Sequence, residues 1–194
     1  MTRSPSSLPS AYFDRLYSAN PDPWDFETSA YEQAKYQATL EALPRARYVD
    51  ALEVGCSIGV LTERLAPRCD DLLAVDTSDL ALKSAQERCA AFGHVRFARC
   101  RVPEEWPDST FDLILLSEVI YYLDRADVTR LARKVRASLR TGGHVLLVHW
   151  IGETDYPLTG DEACELFMAE MEGAAHRVRE GRTDRYRLDC LEAV

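Results

Sequence analysis

The stretch Glu53-Val54-Gly55-Cys56-Ser57-Ile58-Gly59 decides how this chain is read. It sits where a stretch that reads as a buried strand, Val49 to Val54, gives way to a helical pattern, Leu61 to Ala66. A buried strand that enters a glycine turn and leaves it as a helix opens a strand–helix–strand unit. Gly55 permits backbone torsions closed to other residues and lets a ligand approach the main chain. Gly59 lets the following helix pack close to the strand.

Outward from that turn, strands and helices alternate. Leu72 to Val75, Val95 to Ala98, Leu113 to Leu116 and Val145 to Val148 read as further strands. The unbroken apolar run at 113–116 is what a central parallel strand, covered on both faces, requires. Between the strands lie helical stripes, Leu82, Ala85 and Cys89, then Val128, Leu131, Val135 and Leu139, after which Gly142-Gly143 turns the chain. A last helix is expected over Asp161 to Met171, followed by a hairpin in which Tyr186, Leu188 and Cys190 alternate. The implied fold is α/β: a doubly wound, Rossmann-like sheet, mostly parallel, ending in an antiparallel hairpin strand. Right-handed crossovers then put the strand C-terminal ends on one edge, which is where such sheets bind ligands.

The 194 residues fit a single domain. Within it, 1–10 is rich in Ser and Pro and reads as disordered, 11–45 as a cap over the ligand edge, and 46–194 as the core. In the cap, Pro21 and Pro23 fix a turn that presents Trp24, and a helix with Tyr31, Ala34, Ala38 and Ala42 on one stripe closes at Pro44. The net charge of -9 repels phosphate backbones, so no nucleic acid partner is expected. The six cysteines stand singly, without metal-ligand spacing, and read as reduced, packed thiols; no metal is expected. No run approaches the roughly 20 apolar residues of a membrane span, and the N-terminus lacks a secretory pattern. The expectation is a cytoplasmic protein, a monomer or weak homo-oligomer, with no membrane partner.

About twenty residues beyond the glycine turn, the second strand ends in Asp76, whose carboxylate can accept both hydroxyls of a ribose, with Thr77 beside it. A nicotinamide dinucleotide is the rival ligand. Its pyrophosphate needs three glycines, G-x-G-x-x-G, and bare amides at a helix N-terminus. This turn has two glycines and the carboxylate of Glu53. Charge therefore favours a phosphate-free cofactor with a cationic end, and S-adenosylmethionine, an ammonium and a sulfonium in one molecule, meets that description. A protein that binds this cofactor without catalysis is the other alternative.

With E-x-G-x-x-x-G at 53–59, Asp76 after the second strand, and Phe111-Asp112-Leu113-Ile114 leading into the fourth, the chain resembles class I S-adenosylmethionine-dependent methyltransferases. The resemblance implies seven strands, the last antiparallel, with Gly55, Cys56, Ser57 and Ser117 holding the methionyl part. Ser57 departs from the family pattern, where another glycine is common, and its hydroxyl can bond locally. After the third strand an acid is common; Arg101 and Val102 stand there instead, so adenine falls to them or to Glu104. More narrowly, Asp22-Pro23-Trp24, Tyr31-Glu32-x-x-Lys35-Tyr36, Ser117-Glu118-Val119-Ile120-Tyr121-Tyr122-Leu123 and His149-Trp150 resemble the nodulation protein S family. That resemblance implies N-methylation of the free amine of a deacetylated chitooligosaccharide, leaving S-adenosylhomocysteine; another small amine or a hydroxyl is the alternative acceptor.

Methyl transfer is an in-line displacement at an activated methyl, so the enzyme aligns and desolvates the nucleophile. Glu118 is the candidate to orient the acceptor ammonium or take its proton, and His149 is the other candidate base. Tyr121 and Tyr122 are candidates to line the methyl channel with their ring faces. Trp150 is placed as a sugar-stacking wall. Trp24, Tyr31 and Lys35 are expected to close over the cofactor, Lys35 or Tyr31 meeting its carboxylate. The arginine runs at 130–140 and 177–187 lack interleaved aromatics and read as solvated faces.

Overall fold

The computed structural model describes residues 3–194. Seven strands form one sheet: β1 (Tyr48–Val54), β2 (Cys69–Asp76), β3 (Val95–Arg99), β4 (Phe111–Ser117), β5 (Leu139–Trp150), β6 (Ala175–Arg182) and β7 (Tyr186–Ala193). Their order is β3-β2-β1-β4-β5-β7-β6. Strands β1 to β5 pair in parallel, while β7 runs antiparallel to both neighbours. This is the doubly wound, seven-stranded sheet that the strand–helix rhythm implies. Helices α1 (Ser10–Ala19), α2 (Ala30–Ala42), α3 (Val60–Leu65), α4 (Asp79–Arg88), α5 (Arg125–Ser138) and α6 (Gly160–Glu170) cover it.

Strand β4 shows why the sheet needs two helical layers. Leu113, Ile114, Leu115 and Leu116 are all fully buried. Successive side chains leave a strand on opposite faces. Ile114 and Leu116 therefore join Val128, Leu131 and Val135 of α5 and Phe167 of α6. Leu113 and Leu115 join Tyr36 of α2, Leu61 and Leu65 of α3, and Ala81 of α4. Each such burial contributes about 1.5–3 kcal/mol. Asp112, at the start of the same strand, accepts the N–H groups of Val49 and Asp50 at 3.0 and 2.9 Å. That pair of bonds pins the first residues of β1 to β4 and satisfies a buried carboxylate.

Three readings need correction. Residues 3–10 are not disordered: the Ser4 N–H donates to the Asp155 carbonyl at 3.2 Å and the Leu8 N–H to the Tyr122 carbonyl at 2.8 Å. Met1 and Thr2 lie outside the described residues. Composition suggested a tail because its few anchors, Leu8 above all, are spread among Ser and Pro. Helix α1 went unread for a related reason, since its apolar residues are aromatics packed on the cap rather than a long stripe. Finally, Leu139 opens β5 instead of closing α5, and Gly142-Gly143 lies inside that strand.

Gly59 has φ +82°, and a Cβ there would come within 2.9 Å of the Ala85 Cα in α4. The tight approach is thus to α4, and the obstacle is backbone, which cannot step aside. Gly59→Ala is expected to cost about 2 kcal/mol or more and lower the Tm by about 5 °C in thermal unfolding.

Candidate functional site

The C-terminal ends of the parallel strands meet one cavity. Gly55, Cys56 and Ser57 after β1, Asp76 and Thr77 at the end of β2, Cys100 to Val102 after β3, and Ser117 to Val119 after β4 form its floor. Leu8, Phe13, Tyr17, Trp24, Phe26 and Tyr36 roof it from the N-terminal cap. Six acids line it (Glu32, Glu53, Asp76, Glu104, Glu118 and Asp127) against one base, Arg101.

The glycine turn is held from below and above. The Gly55 and Cys56 N–H groups donate to the Val75 carbonyl at 2.8 and 3.0 Å. Asp76 accepts from the Ser57 N–H through Oδ2 and from the Ser78 N–H through Oδ1, each at 2.9 Å. Burial raises the Asp76 carboxyl above its ordinary pKa, although these backbone donors oppose the shift. Gly55 has φ +78°, and Ser57, a residue with a side chain, has φ +51°. The Ser57 hydroxyl bonds the Tyr17 hydroxyl of α1 at 2.5 Å. The substituent at this glycine-favoured place thus ties the cap to the turn.

Glu53 is 2% exposed, and its Oε2 has no hydrogen-bond partner among the described residues. Burial pushes its carboxyl up to about 8, although the neighbouring Thr62 hydroxyl opposes the rise. A buried oxygen without a donor is costly, and here it lies beside the turn in the cavity wall. An ammonium would satisfy it.

Lys35 does not reach the cavity. Its ammonium lies between carboxylates, 2.9 Å from Glu32 Oε1 and 2.5 Å from Glu118 Oε1. Glu118 Oε2 accepts from the Tyr121 hydroxyl at 2.6 Å and from the Trp150 N–H at 2.8 Å. Burial alone would raise the Glu118 carboxyl, yet Lys35, His149 and the hydroxyl bond hold it below its ordinary value. A carboxylate so well served is a poor proton acceptor, which corrects its reading as a base. It is also strained, with φ +56°. Glu32 and Tyr36 were missed. The buried face of α2 is Glu32, Lys35, Tyr36, Thr39 and Ala42, not the Tyr31-Ala34-Ala38-Ala42 stripe, because an ion pair takes apolar positions. The Glu32–Lys35 spacing of three on a helix was the available signal.

Of the remaining candidates, Trp24, Arg101, Val102, Ser117 and Tyr122 line the cavity; Tyr31, Gly59, Tyr121 and His149 do not. Tyr31 stands edge-on to Trp150 and lies under the Arg185 guanidinium. Tyr121 reaches the site through Glu118 and through its ring contact with Tyr122. His149 is fully buried; its Nε2 accepts the N–H groups of Val119 and Ile120 at 3.3 and 3.2 Å. Burial lowers its pKa to about 4. It is a structural acceptor, not a base. The Arg101 N–H is taken by Glu105 Oε2 at 2.6 Å, leaving its side chain at the cavity.

The family described as Nodulation protein S (NodS) matches residues 14–147, more than half of the chain. The chain belongs to that family. Nodulation protein S of Bradyrhizobium diazoefficiens is 37% identical over 116 residues, covering 59% of this chain and 54% of that protein. The chain thus spans about half the length of the curated relatives it matches. A putative methyltransferase from Pseudomonas syringae is 38% identical over 84% of this chain and 99% of its own, with a TM-score of 0.74. The N-methyltransferase NodS of Bradyrhizobium japonicum WM9, solved with S-adenosylhomocysteine, is 22% identical and superposes with a TM-score of 0.81 over 95% of this chain and 97% of its own. The fold is that of class I methyltransferases.

The Tyr17–Ser57 bond yields a contrast between two variants. Ser57→Ala keeps the strained φ and loses the bond, costing about 1–2 kcal/mol. Ser57→Gly loses the same bond but relieves the strain, and is expected to melt within about 2 °C of wild type.

Proposed function

We propose that this chain is an S-adenosylmethionine-dependent methyltransferase that N-methylates an amine acceptor, in the first instance an amino sugar of a deacetylated oligosaccharide. The bare Glu53 oxygen beside the glycine turn, in a cavity of six acids and one base, carries the reading. Such a wall repels a pyrophosphate and attracts a cation. The residues fit the cofactor: Glu53 for the ammonium, the Gly55–Ser57 backbone and Ser117 for the methionyl part, and Asp76 with Thr77 for the ribose. Arg101 and Val102, or Glu104, would border adenine.

When bound, the cofactor supplies a methyl group already activated on a sulfonium. The chain's own residues position the acceptor and keep water away, with Tyr122 lining the cavity. Outside the cavity, Trp150, Tyr31 and Tyr186 form a partly exposed aromatic cluster, with centroids at 5.7 and 6.2 Å from Tyr31. Sugar rings stack on such walls, which favours an oligosaccharide over a lone amine. The Bradyrhizobium japonicum relative is an N-methyltransferase, which favours an amine as the acceptor group.

The raised Glu53 pKa has a readable consequence. With no cation beside it this carboxyl is held protonated at pH 7, since burial raises its pKa to about 8. An ammonium seated on Oε2 favours the carboxylate, so binding expels the proton. Titration of S-adenosylhomocysteine in buffers of differing ionisation enthalpy is expected to show release of about one proton at pH 7, with affinity tightening by up to about tenfold per pH unit between 6 and 7.5. Glu53→Gln should abolish that release and weaken binding by about 10- to 100-fold. Failure of the wild type to bind the compound would overturn the proposal.

A further inference from the structure

Glu32 is a buried group that the cofactor's seat does not use. It is 7% exposed and lines the cavity. Its Oε1 accepts from Lys35 at 2.9 Å, whereas its Oε2 is buried and makes no hydrogen bond of ordinary geometry among the described residues, with the Tyr36 hydroxyl as a neighbour of the carboxylate. A carboxylate has about four acceptor positions, and leaving a buried oxygen without a donor is costly unless something else supplies one. Lys35 brings one positive charge to two carboxylates. Glu118 takes the larger share, with the Tyr121 and Trp150 donors completing it. Glu32 is left short of a countercharge. Arg101, the one basic residue of the cavity wall, stands at the end of the cavity beyond β3, paired at long range with Glu104.

Cofactor charge does not close this gap. S-adenosylmethionine carries two positive groups and one carboxylate; its ammonium is matched by Glu53, and its sulfonium has no N–H to donate to a bare oxygen. A second buried carboxylate in the same cavity is therefore open to a second donor, and an acceptor ammonium can supply it.

We propose that Glu32 Oε2 is the seat of the acceptor's ammonium and takes its proton before methyl transfer. The inference rests on the amine-methylating function proposed above. The ammonium gives one proton to Glu32, leaving a neutral amine and a carboxylic acid. The amine lone pair then forms the N–C bond as the C–S bond breaks, its electrons returning to sulfur. The products are a methylated ammonium and a thioether, and the proton on Glu32 leaves to water.

The surroundings suit a proton acceptor. Burial raises the Glu32 carboxyl despite the Lys35 ammonium, with Glu118 adding to the rise and the Tyr36 hydroxyl opposing it. From its own helix Glu32 is faced by Lys35 and Tyr36, and from the loop after β4 by Glu118. Glu53, at the end of β1, acts on the same Tyr36 hydroxyl. Glu118 and His149, both held below their ordinary values, are worse placed to take a proton near neutral pH.

The test uses the full chain, S-adenosylhomocysteine, and glucosamine oligomers with their N-acetylated counterparts as controls. Glu32→Gln should bind S-adenosylhomocysteine within about twofold of wild type. Its affinity for the glucosamine oligomer, titrated into protein saturated with S-adenosylhomocysteine, should fall by about 10- to 100-fold. With S-adenosylmethionine, KM should rise similarly, and the acid limb of the kcat/KM profile should disappear. Glu32→Asp keeps the charge opposite Lys35 but withdraws Oε2 by one methylene; it should recover part of the loss, and carries the same test if Glu32→Gln does not fold. Unchanged amine affinity and pH profile would overturn the assignment. An equal loss of S-adenosylhomocysteine affinity would overturn it too, by giving Glu32 to the cofactor. A wild type that binds S-adenosylhomocysteine but methylates no amine would remove the proposed function and this inference together; one that methylates amines as well as Glu32→Gln does would remove this inference alone.

Discussion

One ammonium, Lys35 Nζ, is held between the carboxylates of Glu32 and Glu118, and the ligand edge is organised around it. The lysine belongs to the N-terminal cap and Glu118 to the loop that leaves the central strand, so the pair joins two parts of the chain 83 residues apart. It also holds Glu118 in a backbone conformation that costs on the order of 1–3 kcal/mol. The Tyr121 hydroxyl and Trp150 N–H complete that clamp from the other side. Each partner is too buried to be left alone, so the cap, β4 and β5 share a common anchor.

From this anchor the cavity acquires a gradient. Near α2 and β1 its wall is buried, with carboxylates that lack full compensation. Toward β3 it opens to Arg101 and Glu104, which are exposed and paired with each other, with Glu105 nearby on the Arg101 N–H. A ligand with a cationic head and a neutral polar tail fits such a channel in one direction only. Electrostatics thereby orients it before any specific contact forms.

Much of the sheet could be read from the chain. Leu113 to Leu116 announced a doubly covered strand, and the glycine turn and Asp76 fell where strand ends meet. The failures share a cause. Hydrophobic periodicity assumes that the buried face of a helix is apolar, and α2 buries Glu32 and Lys35 instead. The stripe chosen from the alanines was therefore the wrong one, and a site residue went with it. Gly59 and His149 failed differently. Both lie near the ligand edge in sequence, yet one meets α4 and the other ends inside the core; sequence proximity says nothing about which way a group faces. The segment before α1 gave no signal because its order comes from contacts with Tyr122 and Asp155, more than a hundred residues away.

His149 brings out a property of the loop that carries Glu118. A single ring nitrogen accepts the N–H groups of both Val119 and Ile120, and the other ring nitrogen faces the Cys164 sulfur. The ring must stay neutral to do this, and its pKa of about 4 lies below the ordinary histidine value. Between those two values the unfolded chain takes up a proton that the folded chain refuses, so acid progressively erodes the fold at this point. Below about pH 4 the nitrogen would become a donor facing two donors. The imidazole is thus a latch that acid releases from the loop carrying Glu118.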